Sequence, residues 1–262
     1  MMRKIILGAL LATIGLGAWA GEKDQAGGSA WNRYYAHVGY HIGGTAPIGM
    51  PASIRTLHSY RLRPNFVLGV DAYHAISGRW GFVGGLHFEE KAMRTDAGVK
   101  GYHMRIVRGG EELEGVFTGS VVTKVDMSLI TVPLQIAYDL SPHVRLKAGP
   151  YVSYVTSRKF EGWAYDGYLR RREEGHDKHD PTGQKVMLGH NDGERGNYDF
   201  SDDMRSWQMG IDVGADWYIT KRWGAKAGLS WGLTGIFHSG FDTIEQTMYP
   251  IYGTIGVVYQ LK

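Results

Sequence analysis

The residues best suited to chemistry recur at every second position along several segments. Histidines, acids and basic residues occupy these positions, and in extended strands their side chains would project to one face. The set comprises His37, His41, Asp71, His87, Glu89, Arg145, Lys147, Asp212, Asp216 and Lys226. Such a set could relay protons, bind a metal ion or form a catalytic site, or it could form a structural network of ion pairs. The elements that carry the side chains must decide between these readings.

A second group of candidate metal ligands lies in one highly charged segment. The segment 176–180 contains His176, Asp177, Lys178, His179 and Asp180, and His190 and Asp192 follow it. Histidine and aspartate can bind a divalent cation. Because the segment offers no cysteine and no regular ligand spacing, we expect a solvated polar loop.

No recognised catalytic or cofactor motif is present. Serine, histidine and aspartate all occur, but no motif places a nucleophile beside a base. The pairs Gly43-Gly44 and Gly109-Gly110 do not belong to a phosphate-binding loop, and no nucleic-acid-binding motif is found. We therefore assign no catalytic, cofactor-binding or metal-binding residue, and we expect no cofactor and no enzymatic activity.

Alternation of apolar and polar residues is the dominant pattern of the chain. Every second residue from Trp207 to Ile219 is apolar, and the segment from Trp223 to Thr234 repeats the pattern. Trp207 and Trp217 are ten residues apart, which is about 33 Å along an extended strand. At a tilt of about 45° this length spans roughly 23 Å, close to the apolar band of an outer-membrane barrel. Tryptophan at both ends of the row suits the two membrane interfaces.

The pattern predicts eight strands, at about 31–45, 65–76, 79–95, 123–138, 143–157, 205–219, 222–237 and 250–262. Three connections are tight turns, at 77–79, 139–142 and 220–222, whereas 46–64, 96–122, 158–204 and 238–249 are long. Short periplasmic turns that alternate with long extracellular loops are typical of outer-membrane barrels. The predicted fold is all-β: an eight-stranded antiparallel up-and-down transmembrane β-barrel.

The first twenty residues have the features of a secretory signal peptide. A basic start at 1–4 precedes an apolar run at 5–16, and Ala18-Trp19-Ala20 forms an A-x-A cleavage pattern. We expect cleavage after Ala20, a short periplasmic segment at 21–30 and a barrel domain at 31–262. No other segment is apolar over the roughly 20 residues of a membrane helix, and closed barrels are the other structure that spans lipid.

Composition agrees with a membrane barrel. The chain has no cysteine, 38 glycines, 12% aromatic residues and a formal net charge of only +3. A disulfide framework is therefore excluded, and nothing indicates nucleic-acid binding. A soluble barrel would also alternate, but it would place its apolar row inside and leave its charged row in water. We expect the apolar row to face lipid and the charged row to fill the lumen as ion pairs, because an eight-stranded interior just holds side chains.

Four short stretches, in the same order along the chain, resemble the PorT-like outer-membrane β-barrel family. They are Gly85-Leu86-His87-Phe88-Glu89-Glu90-Lys91-Ala92-Met93, Ile130-Thr131-Val132-Pro133-Leu134, Ala148-Gly149-Pro150-Tyr151 and Asp212-Val213-Gly214. Ala92 stands where the family usually has glycine. The resemblance implies an outer-membrane barrel of Bacteroidota-type bacteria, and one member of that family is tied to protein export by type IX secretion.

Two prolines fall inside strands that a closed barrel must pair on both sides. Proline cannot donate a ladder hydrogen bond. We expect a β-bulge at Pro133 and at Pro150, or an alternative register.

Three functions are compatible with the sequence. The first is a structural or interaction role in which extracellular loops are presented and secretion or outer-membrane assembly is assisted. The second is a narrow channel for small solutes, and the third is an enzyme that modifies lipid or peptide. The expected surroundings are lipopolysaccharide outside and phospholipid inside, with other envelope or secretion proteins as partners and no nucleic acid.

The segment 158–204 is expected to carry the specificity. Its flanks are rich in aromatic residues, including Phe160, Trp163, Tyr165 and Phe200, which could extend the strands above the membrane as a hairpin that packs on 96–122. The alternative is a solvated loop that only shields the barrel mouth.

Overall fold

The computed structural model describes residues 33–49, 51–173, 175, 182–244 and 246–261. The expected signal peptide at 1–20 and the segment 21–30 lie outside these residues. Apart from a short 3-10 helix at Asp192–Glu194, the regular structure of the described chain consists of strands. No helix in these ranges is long and apolar enough to cross a membrane.

Eleven strands are present in the described residues. They are β1 (Arg33–Pro47), β2 (Ile54–Leu62), β3 (Phe66–Ser77), β4 (Trp80–Arg108), β5 (Glu111–Asp139), β6 (Val144–Arg171), β7 (Lys185–Leu188), β8 (Gly196–Asp199), β9 (Trp207–Tyr218), β10 (Trp223–Gly232) and β11 (Met248–Gln260). Eight of them form an antiparallel ring in the order β1-β3-β4-β5-β6-β9-β10-β11, which β11 closes by pairing with β1. The predicted eight-stranded barrel is confirmed.

The alternation of the sequence places apolar side chains outside and polar side chains inside the ring. On β9, Trp207 is 61% exposed and Ile211 is 45% exposed, whereas Gln208 and Asp216 are buried. Aromatic side chains pair across strands at the ends of the apolar rows, as in Trp80–Tyr138, Trp223–Tyr259 and Tyr154–Trp207. Such bands are typical of the two interfaces of a membrane-spanning barrel.

Three strands continue far beyond the barrel, into connections predicted as long loops. For 158–204 this confirms the expected extension of the flanks, since 158–171 pairs with 115–127, whereas 96–122 was not expected to form strands. β4 and β5 have 29 residues each and β6 has 28, whereas a membrane-spanning strand needs about 9–11. The segment 96–122 is therefore a hairpin, which turns at Gly109-Gly110 with φ of 58° and 85°. Glycines at 115 and 119 interrupt the inward apolar row, which hides the alternation in the sequence. The predicted loop 46–64 likewise contains β2, and the predicted strand 222–237 ends at Gly232.

The expectation of a bulge at each internal proline is also wrong. Around Pro133 and Pro150 the ladders omit a few pairs, but the register on either side is unchanged. The bulges between β5 and β6 lie instead near Gly119 and Ser128. The barrel therefore tolerates each missing N–H by losing local pairing rather than by inserting a residue.

The extended strands enclose a second hydrophobic core above the lumen. Its buried members come from β4–β6, from β7 and β8, and from the segments 200–206 and 233–244, which lie beside the upper ends of these strands. Large members are Met93, Met104, Phe117, Met127, Phe160, Leu169, Phe200 and Phe237. This upper core fixes the extracellular strands as a packed body rather than as separate loops.

Candidate functional site

The lumen is filled by polar side chains, and its layer nearest the tight turns is organised by Arg145. The guanidinium donates to both carboxylate oxygens of Asp139, at 2.6 and 3.2 Å, and to the Tyr35 hydroxyl at 2.9 Å. Its central carbon lies 3.9 Å from the centre of the Tyr73 ring. Arg145 therefore joins the walls of the barrel through β1, β3, β5 and β6.

The middle layer contains the ion pair between Lys147 and Asp216. Lys147 Nζ lies 2.7 Å from Asp216 Oδ2, and both side chains are at least 96% buried. This contact agrees with the expectation that ion pairs fill the lumen. Lys226 is the cross-strand neighbour of Asp216 in the β9–β10 ladder, but the ammonium in direct contact with this carboxylate is that of Lys147.

Beside this pair, one aspartate is shared by two histidines. His87 Nε2 lies 2.7 Å from Asp71 Oδ1, and His37 Nδ1 lies 3.3 Å from Asp71 Oδ2. The two imidazoles meet edge to face, with centroids 4.4 Å apart. The potential ligand atoms of the three residues are within 4.8 Å of one another, which is the spacing of a metal site but also that of a hydrogen-bonded histidine–carboxylate network.

The upper layer centres on Lys91, which is not among the inward residues predicted from the sequence. Lys91 Nζ lies 2.6 Å from Glu89 Oε2 and between the rings of Tyr151 and Tyr252, at 5.7 and 5.5 Å from their centres. His41 Nε2 lies 3.9 Å from the same Glu89 oxygen. The signal was available, since Lys91 continues the alternate positions 87 and 89 in the same strand.

The second candidate cluster is not assembled within the described residues. The segment 176–180 lies outside them, and the two ligands beyond it take other partners. His190 pairs with Asp166 at 2.9 Å, and Asp192 pairs with Arg195 at 2.7 Å, in both cases near the surface.

The extracellular strands carry a surface of aromatic and basic side chains on the face opposite the upper core. Three cations surround the half-buried Trp163: Arg94, Lys124 and Arg195 lie 5.2, 4.9 and 5.1 Å from its ring centre. Tyr168 is flanked in the same way by Arg170 at 5.8 Å and Lys185 at 4.6 Å. We call Trp163, Tyr168 and their cations the cation–aromatic surface.

Acidic side chains hold this surface in place. Glu161 accepts from Lys159 at 2.8 Å and from Lys124 at 3.3 Å, and these hydrogen bonds lower the pKa of the Glu161 carboxyl. The Tyr165 hydroxyl donates to both oxygens of Asp96, and burial raises the pKa of that phenol. On the core side, burial strongly raises the pKa of Tyr198, whose hydroxyl donates to the Val122 carbonyl.

Comparison with known proteins places the fold in context. The chain matches the family described as outer membrane protein beta-barrel domain over residues 32–238. Ail, the attachment invasion locus protein of Yersinia pestis, is similar in structure at 12% identity and a TM-score of 0.38, over 87% of this chain and 98% of Ail. OprG from Pseudomonas aeruginosa is similar at 12% identity and a TM-score of 0.39, over 89% of this chain and 98% of OprG. No match is found among curated proteins. The chain belongs to the outer membrane protein beta-barrel domain family and is an integral protein of the outer membrane.

Proposed function

We propose that the protein is an outer-membrane interaction protein, in which the barrel is the anchor and the cation–aromatic surface is the contact site. The observation that carries this proposal is Trp163 surrounded by three basic side chains on a packed extracellular sheet. Tryptophan, tyrosine and arginine dominate the energetic centres of protein interfaces. A partner with acidic and apolar groups fits this surface best.

The rigidity of the sheet supports the proposal. Phe160 and Ala164 are fully packed in the upper core, and they alternate with Trp163 and Tyr165 on the same strand. A surface whose side chains are already ordered loses less conformational entropy on binding. The extension is therefore suited to recognition in a way that a mobile loop is not.

The filled lumen argues against the alternative of a small-solute channel. In the described barrel, buried ion pairs occupy the lumen at three levels. They involve Lys147 with Asp216, Lys91 with Glu89, and Arg145 with Asp139. Above them, the path meets the apolar upper core. A conducting pore requires a continuous wet path, so we expect no steady single-channel conductance in planar bilayers.

The resemblance to the PorT-like family supports a narrower form of the proposal. In that form, the partner is another envelope protein of a secretion or outer-membrane assembly machine. Lipopolysaccharide and phospholipid surround the barrel in either case, and we propose no enzymatic role.

Site-specific photo-crosslinking in cells tests the proposed function. A photoreactive residue at Trp163 or Tyr168 is compared with one at Ile211, which points to lipid from β9. We expect a discrete crosslinked protein from the first two positions and none from the third. Crosslinks to lipid alone at all three positions would contradict an interaction role for this surface.

A further inference from the structure

The barrel wall has a window between β1 and β2. β1 pairs with β3 only as far as Tyr40–Phe66, while its pairing with β11 continues to Pro47. β2 pairs with β4, and no ladder joins it to β1 in the described residues. The upper part of β1 and the whole of β2 therefore face each other as two unpaired edges. The described parts of the connection to β2, residues 48–49 and 51–53, lie at one end of the window, and the β1–β3 ladder lies at the other.

Individual contacts rather than a ladder hold the window closed. The Tyr60 hydroxyl donates to the Gly43 carbonyl, and the Thr45 N–H contacts the Met93 sulfur at 3.3 Å. A cavity of about 510 Å³ lies directly behind these contacts, within the range of roughly 300–1,000 Å³ that is usual for ligand pockets.

The lining of this cavity is neutral and mostly apolar. Representative lining residues are Ile42, Ile54, Ala97, Val99, Val121 and Met248. No lining residue in the described part of the chain carries a charge, so a neutral, apolar group fits the enclosed space best. The polar side chains of the lining, such as Thr95, Thr123 and Gln246, are all neutral.

The window lies at the edge of the apolar band. On β9 the apolar band spans the ten residues from Trp207 to Trp217. If it starts at Tyr34 on β1, a span of the same length ends at Gly44. Ile42, below this level, is 48% exposed and also lines the cavity. The cavity mouth is thus continuous with the lipid-facing surface.

The segment that forms one edge of the window is basic, which favours an anion. The segment 48–65, which includes β2, contains Arg55, Arg61 and Arg63 and no acidic residue. Arg55 and Arg61 are exposed, whereas Arg63 pairs with Asp126 at 2.9 Å. Arginine binds carboxylate and phosphate groups well.

We propose that this window and cavity form a binding site for an anionic amphiphile, with its alkyl tail in the cavity and its head beside one of the exposed arginines of β2. The tail enters sideways from the outer leaflet, through the gap that Tyr60 and Met93 close. A membrane lipid and a free fatty acid both have this chemistry.

The test uses the protein in lipid nanodiscs and a fluorescent dansyl-labelled undecanoic acid. We expect saturable binding that Ala97→Trp weakens by at least about tenfold, because the indole occupies the space of the tail. Ala227→Trp is the matched control, since Ala227 faces outward on β10; it should bind as the wild type does. Absence of saturable binding over empty nanodiscs, or unchanged binding by a folded Ala97→Trp variant, would overturn the proposal.

Two further measurements identify the charge of the ligand's head group and whether the ligand comes from the membrane. A trimethylammonium probe of equal chain length should bind more weakly, and equal affinity would overturn the anionic head. In native mass spectrometry, a retained phospholipid mass identifies the membrane as the source. Fatty-acid binding without such a mass identifies a free amphiphile, and both results support the site.

Because Ala97→Trp could prevent folding, a cysteine reporter provides an independent test. The chain has no cysteine, so Ala97→Cys introduces a single thiol inside the cavity. A membrane-partitioning alkyl maleimide should label it faster than a charged, water-soluble thiol reagent, and undecanoic acid should protect it. Faster labelling by the charged reagent, without protection, would refute entry from the membrane.

Discussion

Replacing Asp216 by alanine should destabilise the barrel strongly, because it leaves the ammonium of Lys147 buried and without its carboxylate. The two charges are 2.7 Å apart, and their side chains are only 4% and 3% exposed. At an effective dielectric constant of about 20, their attraction is about 6 kcal/mol. Other lumen acids retain part of this attraction in the variant, so we expect a loss of about 3–5 kcal/mol, the usual cost of breaking a buried pair.

The assay is urea unfolding in phospholipid vesicles, followed by the heat-modifiable shift on gels. Asp202→Ala is the control, since Asp202 is exposed outside the barrel strands, and it should change the free energy of unfolding by less than about 0.5 kcal/mol. The double variant Lys147→Met/Asp216→Leu should recover most of the loss, because apolar replacement of a buried pair is often neutral. A loss below about 1 kcal/mol for Asp216→Ala would refute the role of this pair.

The remaining predictions concern the lowest layer of the lumen and the extracellular sheet. Arg145→Met should cost about 2–3 kcal/mol in the same assay, since it removes the charge and the ring contacts of the lowest layer. Tyr198→Phe should leave barrel unfolding unchanged but speed proteolysis of the extracellular sheet. In the unsubstituted protein, burial raises the pKa of Tyr198 in the folded state. The stability of the sheet should therefore fall as the pH rises above about 10, the pKa of tyrosine in the unfolded chain. The pKa of Glu161 is lowered in the folded state, so its effect on stability has the opposite pH dependence. The stability that Glu161 contributes to the sheet is present above about pH 4.5 and should be lost as the pH falls through its folded pKa. Limited proteolysis at pH 3–6 would detect this loss. Deletion of 173–183 should preserve heat-modifiable folding, whereas Leu188→Asp, a buried position in the upper core, should expose the sheet to protease.

The barrel was predictable because the spanning strands repeat a period of two, which on β9 runs between aromatic ends. Trp207 to Trp217 gives the span, and turns such as 139–142 give the topology. The lumen was predictable for the same reason, since inward positions follow directly from the register. The Lys147–Asp216 pair, for example, joins two of these inward positions.

The extracellular body was not predictable to the same degree. Its strands are interrupted by inward glycines and a bulge between Val99 and Tyr102, so the sequence loses the alternation that marks a strand. The surroundings of Trp163 depend on side chains from β4, β5 and the segment before β8, which long-range pairing alone brings together. The window between β1 and β2 likewise depends on which edges remain unpaired, and local sequence contains no signal for that.

A closed outer-membrane barrel is expected to hold the β4–β6 sheet outside the cell. Labelling of intact cells with a membrane-impermeant maleimide tests this claim most directly, because the chain has no cysteine of its own. A single cysteine at Gly110, in the β4–β5 turn, is compared with one at Ser141, in the tight turn between β5 and β6. We predict labelling of the Gly110→Cys protein in intact cells and of the Ser141→Cys protein only after the outer membrane is permeabilised. Labelling of Ser141→Cys alone in intact cells would reverse the orientation and contradict the account.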